Sequence, residues 1–173
     1  MATAQAARAV AFPTSIVVFE IDAIRYAIET RVVVEILRAV AIRSLTGQPS
    51  FVAGVIDLRG TIVPAIDLRV RFGRLGRELS PDDQFIVAET QTVAETQDGS
   101  GGTRRVAFWV DRVTDLMEAP PPDAVQRAEG LIVGTKSLAG VLRTADGLIL
   151  LHDLKAFVTE AELDAILEAA EIS

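Results

Sequence analysis

The chain has no cysteine among its 173 residues. That excludes disulfides, thiolate nucleophiles and cysteine zinc sites, and it fits a reducing cytoplasm. It has a single histidine, His152, which excludes a multi-histidine metal site and leaves few general bases. No apolar run reaches membrane-spanning length before a charge interrupts it, and the opening "MATAQAARAVAF" is too short in its apolar stretch for a secretory signal. The chain is expected to be soluble and cytoplasmic, with no direct membrane insertion. Basic charge is also in short supply: 17 Lys and Arg stand against 24 Asp and Glu, a net charge of −7. Without a broad basic surface, a nonspecific hold on nucleic acid or on an anionic membrane is not expected, and the partners are expected to be proteins.

What is present is apolar. Half the residues are hydrophobic and mean hydropathy is positive, enough to bury a substantial core in one domain or in two small lobes sharing one. The pattern predicts many short strands with frequent turns, an all-β class with a few short helices. "SIVVFEI" and "RYAIE" read as a hairpin turning at Asp22. "TRVVVEILRAV" mixes a valine run with helical spacing and reads as a short helix followed by a strand. "FVAGVIDL" and "TIVPAIDL" read as strands joined at Arg59-Gly60, where glycine supplies the positive φ of a reversal. Pro64 inside the second of them predicts an edge or bulged strand.

Further strands are expected at "DDQFIVAETQ", "RVAFWV", "GLIVGT", "LAGVL" and "GLILLHDL", with "DGSGGTRR" as a hairpin tip and a proline stop at 120–122. Trp109 reads as core. Residues 1–14 read as a loose tail. At the other end, Thr159 and Glu162 form a Thr-x-x-Glu capping box before Leu163, Ile166, Leu167 and Ala170, which predicts an amphipathic helix over 159–173.

A duplication is visible beneath the pattern. "RYAIETRVVVEIL" from Arg25 lies over "RVAFWVDRVTDLM" from Arg105 at an offset of 105 − 25 = 80, which sets Glu35 on Asp115 and Gly54 on Gly134. A six-residue insertion then brings "AIDL" onto "LHDL", since 153 − 67 = 86. Two repeats predict two lobes, each built from one copy, with a boundary near 75–85; strand exchange between the copies is the alternative arrangement. A groove between the lobes would be the natural binding place.

Several chemical readings fail or stay secondary. "GLIVGTKS" has three residues between its glycines and Thr135 before the lysine, so it is not a phosphate loop. Asp82 and Asp83 after Pro81 read as turn caps rather than cation ligands. His152 reads as a polar strand residue without function. Asp57 or Asp67 acting as acid or base would make the chain a small β-barrel enzyme, which requires the two to face one cavity.

The runs "VVEIL", "GQPS", "GVIDLRG", "IVPAIDLR" and "RFG", followed by "VAFWVDRV" and "GLILLHDLKAF", resemble the CheW-like domain family over about residues 15–160. The resemblance implies a single domain over 15–158 made of two five-stranded, barrel-like lobes sharing a core. It also implies no catalysis, no cofactor and no metal. It implies a scaffold between the cytoplasmic tips of methyl-accepting chemoreceptors and the regulatory domain of the histidine kinase CheA, recruited to membrane receptor arrays. A scaffold of a non-chemotactic kinase pathway is the alternative. Carried over to this sequence, the partner-contact residues are Val33, Glu35, Gly54, Asp57 and Arg59. Asp57 stands where the family usually has asparagine, and Arg25 and Tyr26 occupy a hairpin that is often glycine-containing.

Overall fold

A computed structural model describes residues 14–91, 103–127, 138–153 and 157–172. Eleven strands are seen among them: β1 (Ser15–Ile21), β2 (Ile24–Glu29), β3 (Val33–Arg38), β4 (Val52–Leu58), β5 (Thr61–Asp67), β6 (Gln84–Gln91), β7 (Thr103–Val110), β8 (Arg112–Glu118), β9 (Val125–Arg127), β10 (Leu138–Thr144) and β11 (Gly147–His152). A one-turn helix α1 (Leu68–Arg71) follows β5, and α2 (Glu160–Ile172) closes the chain. The ambiguous valine run resolves into a single 3-10 turn over Thr30–Val32 and then β3. The expected strand "GLIVGT" and Gly134 lie outside the described residues, as does the expected tail apart from Thr14.

The strands form two sheets, ordered β8-β1-β2-β11-β10-β9 and β3-β6-β7-β5-β4. The first has six strands rather than five because the short β9 adds itself to β10. The expectation that each lobe is built from one copy is overturned. β3 through β7 make the five-stranded sheet, while β1, β2 and β8 through β11 make the other. The crossings between lobes therefore fall at residues 30–32 and at Asp111, not near 75–85. Each sheet takes strands from both copies.

Alternation along the strands explains their continuous apolar runs. On β7, Val106, Phe108 and Val110 face a core shared by the two lobes, and Ala107 and Trp109 face a core inside the five-stranded lobe. On β1, Val17, Phe19 and Ile21 face the shared core, and Ile16 and Val18 face the interior of the six-stranded lobe. Strands buried on both faces have no polar positions to alternate with. Helix α2 packs Leu163 and Ile166 into the shared core. Its capping box closes as expected, Thr159 N–H donating to Glu162 at 2.7 Å and Glu162 N–H to the Thr159 hydroxyl at 3.2 Å.

The duplication is confirmed strand by strand. β3, β6, β7, β5 and β4 correspond in order to β8, β1, β2, β11 and β10, with the third and fourth members parallel in each sheet. Glu35 and Asp115 lie on equivalent edge strands, each directly after a β-bulge, at Val34 in one (Val33↔Ala88, Glu35↔Val87) and at Thr114 in the other (Phe19↔Val113, Val18↔Asp115). The two bulges are 114 − 34 = 80 residues apart. A second matched pair sits at Ala53 and Ala139, 139 − 53 = 86 apart. That register makes Gly140 the counterpart of Gly54, a correction to the sequence alignment with Gly134. The insertion falls before β10 rather than after its glycine.

Pro64 also needs correcting: β5 is an interior strand, and its only bulge lies opposite, on β4. Both backbone groups of Val55, its partner, bond to Arg43 on the outer side, at 2.8 and 2.9 Å. Val55 and Pro64 are thus a non-hydrogen-bonded pair, and the proline nitrogen faces β7, whose ladder with β5 begins only at Ala65.

Candidate functional site

The turn between the two "IDL" strands is a two-residue reversal in which Arg59 (φ 54°) and Gly60 (φ 85°) both adopt the left-handed conformation, as hairpins of this twist require. Glycine does this freely; for arginine it costs on the order of 1 kcal/mol. Asp57 fastens the turn by accepting the Gly60 N–H at 2.6 Å, a side-chain cap of the kind aspartate commonly forms. Arg59 is held outward, its side chain 82% exposed, and its Nη2 donates to Glu35 at 3.3 Å.

Glu35 comes from β3, the outer edge of the same sheet. The bulge at Val34 shifts the register of β3 against β6; Val33 before it packs against the shared core and Leu37 beyond it against the core inside the five-stranded lobe, with Glu35 between them half-buried. Val34 and Ile36 flank it as exposed apolar side chains. Glu35, Asp57 and Arg59 therefore gather in one corner. Val33 lies beside it, half-buried. Gly54 is not part of the corner: it is buried opposite Ala65, five residues along β4 from Arg59 and so about 17 Å away. An added Cβ there would stand 2.1 Å from the Arg43 carbonyl oxygen.

The pair proposed for acid and base chemistry is not brought together. Asp57 stands opposite Ile62 at one end of the hairpin, and Asp67 lies five residues further along β5, about 17 Å away at about 3.4 Å per residue. Two-carboxylate hydrolysis needs a separation of roughly 5 to 9.5 Å. Asp67 is the N-cap of α1, accepting the N–H groups of Arg69 and Val70 at 2.9 and 3.3 Å. Burial pushes its carboxyl above the usual range, against those hydrogen bonds. Asp83 caps its turn by accepting the Ser80 N–H at 2.7 Å, and the buried Trp109 donates its indole N–H to it at 3.0 Å.

A second polar group, not anticipated from sequence, joins the lobes. Arg69 is buried, 3% exposed, and pairs with Asp22 in the β1–β2 turn and with Asp111 at the β7–β8 crossing. Arg77 bridges Asp83 and Asp111 at 2.5 and 2.9 Å, and Arg74 reaches Asp22 at 3.0 Å. Burial alone would raise the Asp22 carboxyl, but hydrogen bonds from Arg69 and Arg74 outweigh it and hold it below its ordinary value. Asp83 is lowered in the same way, by Arg77, the Ser80 amide and Trp109 against burial. Hints existed in Asp22 at a turn and Arg69 after "IDL", but nothing local pairs residues 47 and 42 positions apart.

Two sheets of matched topology, interleaved and meeting over one core, agree with the comparison of sequences. Residues 15–162 match the family model described as CheW-like domain. The chain belongs to the CheW-like domain family. Among CheW-like chains, it is 27% identical over 147 residues to the chemotaxis protein CheW of Klebsiella aerogenes, covering 84% of this chain and 82% of that one. It is 23% identical over 153 residues to CheW of Treponema pallidum, covering 87% and 85%. The crystal structure of the scaffolding protein TtCheW from Thermoanaerobacter tengcongensis superposes with a TM-score of 0.69 at 26% identity, covering 87% of this chain and 97% of that one. Among the described residues, no helix is long and apolar enough to cross a membrane.

Proposed function

We propose that this CheW-like chain is a non-catalytic adaptor that couples the cytoplasmic tips of methyl-accepting chemoreceptors to the regulatory domain of the CheA kinase at membrane receptor arrays. The observation that carries the reading is the Arg59 corner. An arginine kept in a left-handed turn conformation, outward and paired to Glu35, is a backbone cost with no packing return at that position. A side chain presented to a partner supplies the return: the five donors of a guanidinium suit a carboxylate or the carbonyls at a helix end. Val34 and Ile36 add apolar area beside it. Asp57 fixes the turn, Gly54 lets β4 approach Arg43, and Val33 seats β3 on the core. Family membership and the relatives' roles in chemotaxis and scaffolding support the same reading. Coupling then works by linkage: an adaptor that contacts two states of a receptor or kinase differently shifts the balance between them without performing chemistry.

The test is a receptor-fragment titration of Arg59→Glu beside a denaturation curve. Folding should stay within about 0.5 kcal/mol of wild type, as for an exposed substitution, while affinity falls about thirtyfold, on the order of 2 kcal/mol. Equal affinity with an intact fold would make Arg59 an ordinary turn residue. Affinity capture from the native cell separates the chemotactic reading from other kinase pathways by the kinase and receptor recovered.

A further inference from the structure

The duplication allows the Arg59 corner to be compared with its counterpart in the six-stranded lobe, and the counterpart is open. Glu35 corresponds to Asp115, and Arg59, at the same offset as the hairpin that carries it, corresponds to Ala145 (59 + 86). Where the guanidinium of Arg59 lies in one lobe, the other has a cleft of about 270 Å³ lined by Val18, Glu20, Arg25, Asp115, Asp146 and Ile149, with Thr114, Met117 and Thr144 completing it.

The charges differ in the same sense. In the five-stranded lobe Arg105 pairs with Glu89 at 3.1 Å and Arg59 with Glu35, so each arginine has its carboxylate, while Asp57 is taken up by the turn as the cap on Gly60. Around the open cleft, Arg112 is bound to Glu20 at 2.7 Å and Arg25 donates to Thr144 at 2.8 Å. Among the described residues the lining of the cleft carries one arginine, Arg25, against Glu20, Asp115 and Asp146, and Arg112 holds Glu20 from outside the lining, so Asp115 lacks the cation that Arg59 supplies to Glu35. Asp115 accepts only the N–H of Leu116, at 2.8 Å, and neither it nor Asp146 has an ion pair among the described residues.

We propose that this cleft is a second contact site, which takes one arginine side chain presented by a partner protein and completes from outside the ion pair that Arg59 makes internally in the other lobe. The walls suit that occupant. Val18, Met117 and Ile149 accept the methylene stem, while Asp115 and Asp146 accept guanidinium donors. A cleft of this size lies just below the usual range of about 300 to 1,000 Å³ for small-molecule pockets and matches a single side chain. The site is independent of which partner occupies the Arg59 corner.

The test uses the full chain, isotope-labelled, and a blocked pentapeptide, Gly-Ser-Arg-Ser-Gly, beside the same peptide with citrulline in place of arginine. The arginine peptide should give saturable shifts at the amides of Asp115, Thr144 and Asp146, and the citrulline peptide should give none. Asp115→Asn and Asp146→Asn should each weaken binding about fivefold or more, with melting unchanged because both positions are exposed. Free L-arginine should bind more weakly than the peptide. The proposal is overturned by absent or non-saturating shifts, by an equal response to citrulline, by undiminished binding in a folded Asp115→Asn/Asp146→Asn double variant, or by free arginine binding more tightly than the peptide.

Discussion

The β4–β5 and β10–β11 hairpins are two copies of one device put to different ends. Both begin with an alanine bulge and a buried glycine, in "AGV" at 53–55 and at 139–141, and both lie parallel to the third strand of their sheet. They differ outward of that frame. The first hairpin meets its neighbour through a single bridge, Arg43 to Val55, where the second meets a three-residue strand, β9. Its turn carries Arg59 in the left-handed conformation, whereas in the second only Gly147 has a positive φ (118°). The frame answers to packing and was kept in both copies. The turn and the edge face solvent, and there the copies diverge in charge.

The largest expected effect sets the two glycines against each other. Gly54→Ala would drive a Cβ to 2.1 Å from a backbone carbonyl that cannot yield without losing the Arg43 bridge, at a φ of 142° that side chains avoid. A loss of about 3 to 4 kcal/mol in urea unfolding is expected. Gly140→Ala meets the Val125 Cγ1 at 2.4 Å. A side chain can turn away, so about 1 to 2 kcal/mol is expected. Equal losses would mean that the two frames are equally rigid and that Val125 does not turn away.

The next effect concerns the charged group beside the first hairpin, which holds Asp22 and Asp83 below their ordinary values. Their stabilisation is complete above the unfolded value near 3.8 and is lost as pH falls through the lowered folded values. Asp67, raised by burial, works in the opposite sense: its contribution is present at low pH and disappears as pH rises through its folded value. Acid titration of stability should therefore fall below about pH 4, and Asp22→Asn should flatten that limb. A variant that keeps the full wild-type slope would remove the group from the account of acid sensitivity.

Smaller effects belong to the turn. Asp57→Ala deletes the cap on Gly60 and should cost about 1 kcal/mol in thermal or urea unfolding. Arg59→Gly exchanges a strained arginine for a permissive residue, and relief of backbone strain should nearly offset the added freedom of the unfolded chain. A change within about 0.5 kcal/mol is expected, with the receptor-fragment affinity lost as for Arg59→Glu. If Arg59→Gly destabilises strongly, the ion pair to Glu35 is holding β3 in place and the first corner is structural.

Much of this was legible in the chain because it is local. Hairpins end at Asp22 and at Arg59-Gly60, the Thr159 box starts the last helix, and Trp109 sits in an apolar run that can only be buried. The candidate corner was legible through resemblance, and Glu35 and Arg59, 24 positions apart, do meet. What failed was non-local. Apolar periodicity tells which residues are buried but not in which of two cores, so the exchange of strands between copies left no mark on the pattern. Pro64 was misjudged because its missing donor matters only relative to where the β7 ladder starts. Gly134 was matched to Gly54 on a lone glycine, whereas the bulge that identifies Gly140 exists only once strands are paired.

The interleaving carries one more consequence. A chain cut between Arg71 and Gln84 would yield a first fragment with the pair β1–β2, the pair β4–β5 and β3 with no strand to lie against, since among the described residues β3 pairs only with β6. Neither half contains a finished sheet, so neither is a folding unit. Two halves, however, lend strands in both directions in the manner of an intertwined dimer. The single chain is in effect such a dimer with its protomers joined. Joining them makes assembly independent of concentration and frees the two corners from having to be identical.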